Sequence, residues 1–433
     1  MHDIHGAPTT SPEAALDGIN DFVDGFVRYE LRASNVVQTA DEQPGSALAN
    51  LHAGCLWMFL ERPEAPEKSA LYSERAKVAG GMNARETGLL ALLEAWQRYD
   101  YRKVLAVADE LLDACPQDLS TLKIAQYQAF NAGNAALMLK QAEQCKTANE
   151  GRAQFHSMLA FAHEQCHQLD FAEHAANTAL SIEATEPWAQ HALAHIHLGR
   201  GSTTEGLAFM SQHAADWQGL NSFMFTHNWW HLAVFSIAEG ETQKALEIFD
   251  ERCWGVEPDY SQDQIGAVSL LARLECAGVD VGDRWQRLTP YLNSRVQDVI
   301  QPFLSLQYLY GLAKAQRPQA DELLQLIHQQ ASEPIVVQHR LLWQQVGIPA
   351  AVGVHAHALG NYSEAAKHLS LVRHRMVEVG GSHAQRDLFD QLLLDAYMQT
   401  KQWASARKML EARCRYEPHN LVLQANLAAV KQQ

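Results

Sequence analysis

The run Thr226–Arg252, THNWWHLAVFSIAEGETQKALEIFDER, limits the fold more than any other stretch. It reads as two helices joined by Glu239-Gly240-Glu241. Trp229, Leu232 and Ala233 mark one face of the first helix, and Ala245, Leu246 and Phe249 mark the facing stripe of the second. A helix pair with one apolar face on each member cannot bury that surface by itself. It needs copies of itself on either side.

The chain supplies them. Ser11-Pro12-Glu13 is a helix start, with Ser as cap, Pro at the first helical position and an acid in the first turn. The helix is predicted to run through Phe22, Phe26 and Tyr29 to about Gln38. Asp41–Gly45 breaks it, and Ala47–Leu60 and Glu64–Ala79 form the next pair. From Arg85 onward an aromatic residue opens the second helix of each hairpin and Pro often closes the unit. Tyr101 precedes Pro116, Phe171 precedes Pro187 and Trp403 precedes Pro418, all at nearly the same spacing. Gly360-Asn361-Tyr362-Ser363-Glu364-Ala365 repeats that opening. Between Ser261 and Gly347 the spacing loosens, with helices predicted at Gln264–Cys276, Gln297–Ala315, Gln319–Gln329 and Ile335–Val346. No run alternates long enough for a strand.

This unit resembles the tetratricopeptide repeat, whose period is about 34 residues. The expected fold is therefore all-α: one right-handed α-α superhelix of helix hairpins over residues 1–433. Its parts are N-terminal helices (1–84), central repeats (85–260) and C-terminal repeats (261–433). A long array can also close on itself, which turns its concave face into an enclosed cavity.

Four runs go further. QHALAHIHL (Gln190–Leu198), HNWWHLAVFSIAEGETQKALEIFD (His227–Asp250), SLLARLECAGVDVGDRW (Ser269–Trp285) and GGSHAQRDLFDQLL (Gly380–Leu393) look like the tetratricopeptide repeat protein 38 family. The similarity extends from roughly Phe22 to Leu427. It implies the fold and brings no established activity with it. Gly266 stands where the resemblance implies an acid, with Asp263 one turn earlier as its replacement, and His383 stands where Asn fits the pattern.

The net charge of −16 and the lack of any Lys/Arg-rich run exclude nucleic acid and anionic membrane surfaces as expected partners. Seven scattered cysteines with no C-x-x-C suit reduced thiols. The start MHDIHGAPTT lacks the basic and apolar segments of a signal peptide, so a cytoplasmic location is expected. No Walker loop, G-x-G-x-x-G or G-x-S-x-G elbow is present.

Histidine pairs carry the candidate chemistry. His227 and His231, and His191 and His195, are each spaced i, i+4 and share a helical face. In one register both pairs take the same repeat positions on the concave face. Aligning Trp188 with Trp229 moves the second pair about five positions along, toward the packing seam. The four imidazoles are expected to bind ligand by hydrogen bonding, or to move a proton if the chain is an enzyme. No cofactor is expected; a transition metal on the same four residues is the lesser alternative. Asn228, Arg273, Gln385 and Arg386 complete the expected ligand-binding set. An Arg on so apolar a helix as Ser269–Cys276 must meet an acid or face a cavity. His163-Glu-Gln-Cys-His167 has the letters of a zinc-protease motif but sits at a helix end, where the expectation is a polar terminus. The expected function is a binding scaffold whose concave groove holds a peptide, a partner protein or a small anionic ligand. The alternative is an enzyme or small-molecule binder with a His-rich polar cavity.

Overall fold

The computed structural model describes residues 1–433, the side chain of Tyr416 excepted. The described residues are all-α, as expected, and contain isolated bridges but no strand. Consecutive helices pack as antiparallel pairs. The chain divides into two compact units, Met1–Ala192 with Gln218–Met224, and Leu193–Trp217 with Phe225–Gln433.

In the first unit, α1 (Leu16–Val27) and α2 (Asn35–Glu42) precede four hairpins. These are α3 and α4 (Ala47–Phe59, Ala65–Ala79), α5 and α6 (Ala84–Gln97, Tyr101–Ala114), α7 and α8 (Leu119–Asn131, Ala135–Asn149), and α9 and α10 (Ala153–Gln165, Leu169–Ile182). Next come α11 (Pro187–Arg200), α12 (Thr203–His213), α13 (Ser222–Ala238) and α14 (Thr242–Ile248). The second unit continues with α15 and α16 (Ser261–Cys276, Arg284–Asn293) and with α17 and α18 (Pro302–Lys314, Gln319–Gln329). A short α19 (Arg340–Leu342) leads to α20 and α21 (Ile348–Ala358, Tyr362–Val372). The last helices are α22 and α23 (His383–Gln399, Trp403–Tyr416) and α24 (Leu421–Lys431).

The hairpin turn is the same throughout. Just after the first helix of each pair stands a residue at positive φ: Glu61, Tyr99, Gly133, His167, Gly201, Gly240, Gly278, Gln316, Gly360 and Lys401. From Tyr99 onward the next residue's N–H returns to a carbonyl near the end of the first helix, as in Asp100 to Ala95 at 2.9 Å and Glu241 to Ser236 at 2.7 Å. This left-handed cap satisfies the last carbonyls of the first helix and reverses the chain. Tyr99, Gly133, His167 and Gly201 follow one another at a single constant interval (133−99, 167−133, 201−167). That interval equals the tetratricopeptide period of about 34 residues, so the repeat is present in the turns.

In the first unit α1 lies against α3 and α7 and covers their inner faces. Phe22 stacks on His52 at 4.2 Å, Phe26 meets Phe59 at 5.2 Å, and the Lys123 ammonium sits 3.2 Å from the Tyr29 ring centre. Arg28 holds both Glu183 oxygens at 2.6 and 2.7 Å. The long helix expected from Ser11 to Gln38 is broken at Tyr29, which adopts φ +60° and stacks on Trp188 at 5.2 Å. Nor does Ser11 cap it: its hydroxyl accepts from Ser46 at 2.7 Å, and a 3₁₀ turn at Glu13–Ala15 starts the chain into α1. The tail before α1 is pinned by a buried charge triad. Arg85 bonds Asp3 at 2.9 Å and Asp118 at 2.7 Å.

In the second unit the inner helices α15, α17, α20 and α22 pack in succession, and α22 returns onto α15. Gly381 (φ +80°) allows this return, because a Cβ there would fall 2.7 Å from the Phe303 ring. Tyr310 on α17, His357 on α20 and Asp395 on α22 are linked by hydrogen bonds of 3.3 and 2.9 Å. Two expected helices differ here, and one helix is new. Gln297–Ala315 begins only at Pro302, after a segment in which Arg295 is anchored on the Asp259 carbonyl at 2.8 Å. Arg284–Asn293 is an additional helix. Ile335–Val346 starts late and passes through a π turn at Trp343–Gly347 into α20. Pro349 explains that turn, since it has no N–H to donate and crowds the carbonyl one turn back.

Two outcomes test this packing. Burial alone would raise the Asp118 carboxyl, yet Arg85 and the hydroxyl of Ser120 hold it well below the usual carboxylate range. Arg85→Met leaves two buried carboxylates without their cation, and the urea midpoint of the first unit should fall by an amount equivalent to ~3–5 kcal/mol. The exposed Arg407→Ala, which loses only an i, i+4 pair, should leave it unchanged. The second outcome concerns acid. Burial lowers the His52 imidazole to about 3, so on acidification the unfolded chain takes up that proton first. The resulting penalty is absent above the ordinary histidine value and grows as pH falls toward 3. Between pH 7 and 5, wild type should lose ~2 kcal/mol more than His52→Leu, measured by urea unfolding at both pH values.

Candidate functional site

The opening hairpin places the candidate residues. Its first helix, α13, begins at Ser222, a turn earlier than Thr226, and Trp230 is more deeply buried than Trp229. His227, Trp230 and His231 follow at i, i+3 and i+4 and face one way, with Asn228 beside His231 one turn earlier. Trp230 lies parallel to His227 at 5.4 Å and edge-on to His231 at 4.9 Å. From α11, the His195 ring meets His231 at 4.7 Å. From α15, the Arg273 guanidinium lies 5.1 Å from the Trp230 ring centre.

A ring nitrogen from each of His195, His227 and His231 lies within 4.8 Å of the others. Burial lowers His227 to about 3, with the neighbouring His195 acting in the same direction. His231 is pushed well below its ordinary value by burial, by His195 and His227, and by Arg273. Both are neutral at cellular pH, so their lone pairs can accept a proton, a hydrogen bond or a metal.

Among the described residues, Arg273 makes no ion pair. It donates to the Ser269 hydroxyl and to the Ala384 carbonyl at 2.6 Å, and its Nε has no partner. Burial lowers its guanidinium to about 10, partly offset by Asp387, so the charge remains. Asn228 is 0% exposed, and neither its amide nitrogen nor its oxygen has a partner among the described residues. A buried polar group left so costs about 1–3 kcal/mol.

The other expected residues have contacts of their own. His191 precedes His195 by one turn of α11, belongs to the first unit and stacks on Trp188 at 4.2 Å. The turn residues settle its register. His191 and His195 stand nearer to Gly201 than His227 and His231 stand to Gly240 (201−191 against 240−227). The pairs are offset by three positions, closer to the Trp188 alignment. The Gln385 side chain closes a capping box with Ser382, and only its carbonyl reaches Arg273. Arg386 bonds the Gly381 carbonyl and His383. Asp387 pairs with Arg413 at 2.9 Å rather than with Arg386. His163 bonds Gln168, and His167, at φ +56°, lies beyond the helix end, so the two share no helical face. Asp263 accepts from Thr226 and from the Glu257 amide; a Cβ at Gly266 would meet no atom within 4 Å.

Sequence reasoning missed Ser269 and the facing role of Trp230. Counting back from the turn glycines would have found the first. Ser269 stands as far before Gly278 as His231 stands before Gly240 (278−269, 240−231). Gly266 likewise repeats the position of Asn228 (278−266, 240−228).

No family model matches the chain. A solved structure of Naa15/Naa10 bound to HypK-THB is similar at 12% identity and a TM-score of 0.26, over 96% of this chain and 66% of that one. The chain thus spans just under two thirds of the chain it matches. Among the described residues, no helix is long and apolar enough to cross a membrane.

Replacing the unpaired amide with a similar apolar shape should relieve its cost. Asn228→Leu is expected to leave the melting temperature unchanged or higher, whereas Asn420→Leu, which removes the cap of α24, should lose ~1 kcal/mol. Differential scanning calorimetry of both variants makes the comparison.

Proposed function

We propose that this helical-repeat protein binds a small anionic ligand at the buried cluster of His195, His227, Asn228, His231 and Arg273. The observation that carries the reading is Arg273: a 2%-exposed guanidinium that keeps its charge and, among the described residues, has no carboxylate within ion-pair distance. A buried cation without a counter-ion is costly, and an anion bound beside it removes that cost. The unpaired Asn228 amide and the neutral imidazoles supply donors and acceptors to orient it.

A peptide in an open groove has less support. α1 covers the inner faces of α3 and α7 in the first unit, and α15 and α22 touch in the second. Gln385 and Arg386 bind locally and support the helix start rather than a ligand.

Isothermal titration with inorganic phosphate and with malonate tests the reading. Wild type is expected to bind one of them with a measurable constant, and Arg273→Gln to lose at least tenfold, with circular dichroism confirming that the variant is folded. Equal binding by both proteins, or none by wild type, would overturn it.

A further inference from the structure

We infer that His195, His227 and His231 form a site for one divalent transition ion, zinc foremost.

The geometry comes first. Three imidazoles from two helices have ring nitrogens within 4.8 Å of one another. Around tetrahedral zinc, with Zn–N near 2.0–2.1 Å, such nitrogens lie about 3.4 Å apart. Each therefore has to move by less than about 1 Å, which small side-chain rotations supply. His227 and His231, at i and i+4 on α13, give a preformed pair, and His195 closes the third corner against His231 at 4.7 Å.

The chemistry of the donors agrees. A metal needs the unprotonated imidazole, whose lone pair is the ligand. An all-nitrogen set favours zinc, copper, nickel or cobalt and disfavours magnesium and calcium, which require oxygen. Trp230 flanks two of the rings and limits their rotation. Three imidazoles from the protein are enough to hold zinc.

Charge then connects the ion to the ligand. Imidazole ligates in its neutral form, so the ion keeps its double positive charge, and the Arg273 guanidinium lies beside the Trp230 ring that flanks two of the ligands. An anion bound beside them neutralises both. This last step rests on the ligand reading above; metal binding itself does not.

The test uses the full chain without a histidine tag, since its 21 histidines already invite stray binding. Protein purified from zinc-supplemented medium is measured by elemental analysis, then stripped and titrated with Zn²⁺ and with Co²⁺. Near one tight equivalent is expected, with the visible absorption of tetrahedral Co²⁺. His227→Ala and His231→Ala should weaken that equivalent at least 100-fold, His163→Ala should not, and His227→Cys, which offers a thiolate, should retain it. Weak binding only, or equal binding in all variants, would overturn the site. If the ion binds and neither phosphate nor malonate follows, the ligand reading fails and the metal site stands. If the stripped protein binds an anion and no ion, the metal site fails alone.

Discussion

Every hairpin in this chain depends on one left-handed residue. A helix leaves its last carbonyls without partners, and a residue at positive φ lets the following N–H return to them while the chain reverses. Glycine adopts that conformation without strain, yet Tyr99, His167, Gln316 and Lys401 hold it as well. They accept the strain because neighbouring hairpins fix the angle between the two helices. Repeated at a constant interval from Tyr99 to His167, the turn makes a stack within the first unit in which each pair buries the apolar face of the next.

Such a stack leaves an inner face, and here the chain's own elements cover it. In the first unit α1 lies on α3 and α7, held by aromatic stacking, by Lys123 against Tyr29 and by the Arg28–Glu183 pair. In the second, α22 closes onto α15 through Gly381, which gives Phe303 room, and through Arg273 on the Ala384 carbonyl. Around Trp230 the packing is polar, and among the described residues the Asn228 amide has no partner, which points to chemistry rather than to stability.

Much of this was legible in the sequence, and the gaps have physical causes. Helical periodicity and the Gly240 and Gly360 turns gave the hairpins directly. The strict period was hidden because tyrosine and histidine hold two of its left-handed positions, and neither residue advertises a turn. The His227–His231 pair could be read from its spacing, and the Ser382 cap from its motif. That His195 meets His231 and that His191 stacks on Trp188 both depend on an offset of three positions between repeats. The Asp3–Arg85–Asp118 triad joins residues distant in sequence, so only tertiary packing reveals it. Pro349 signalled a break, but not that a π turn would carry the helix past it.

The most direct measurement of this arrangement is hydrogen–deuterium exchange of the full chain, resolved to α1 and α7. If α1 is an integral part of the first unit, its amides should be protected to the same extent as those of α7 and open with them. Exchange of α1 within seconds, while α7 stays protected, would mean that the inner face is free for a peptide and would contradict the reading of a repeat array filled by its own chain.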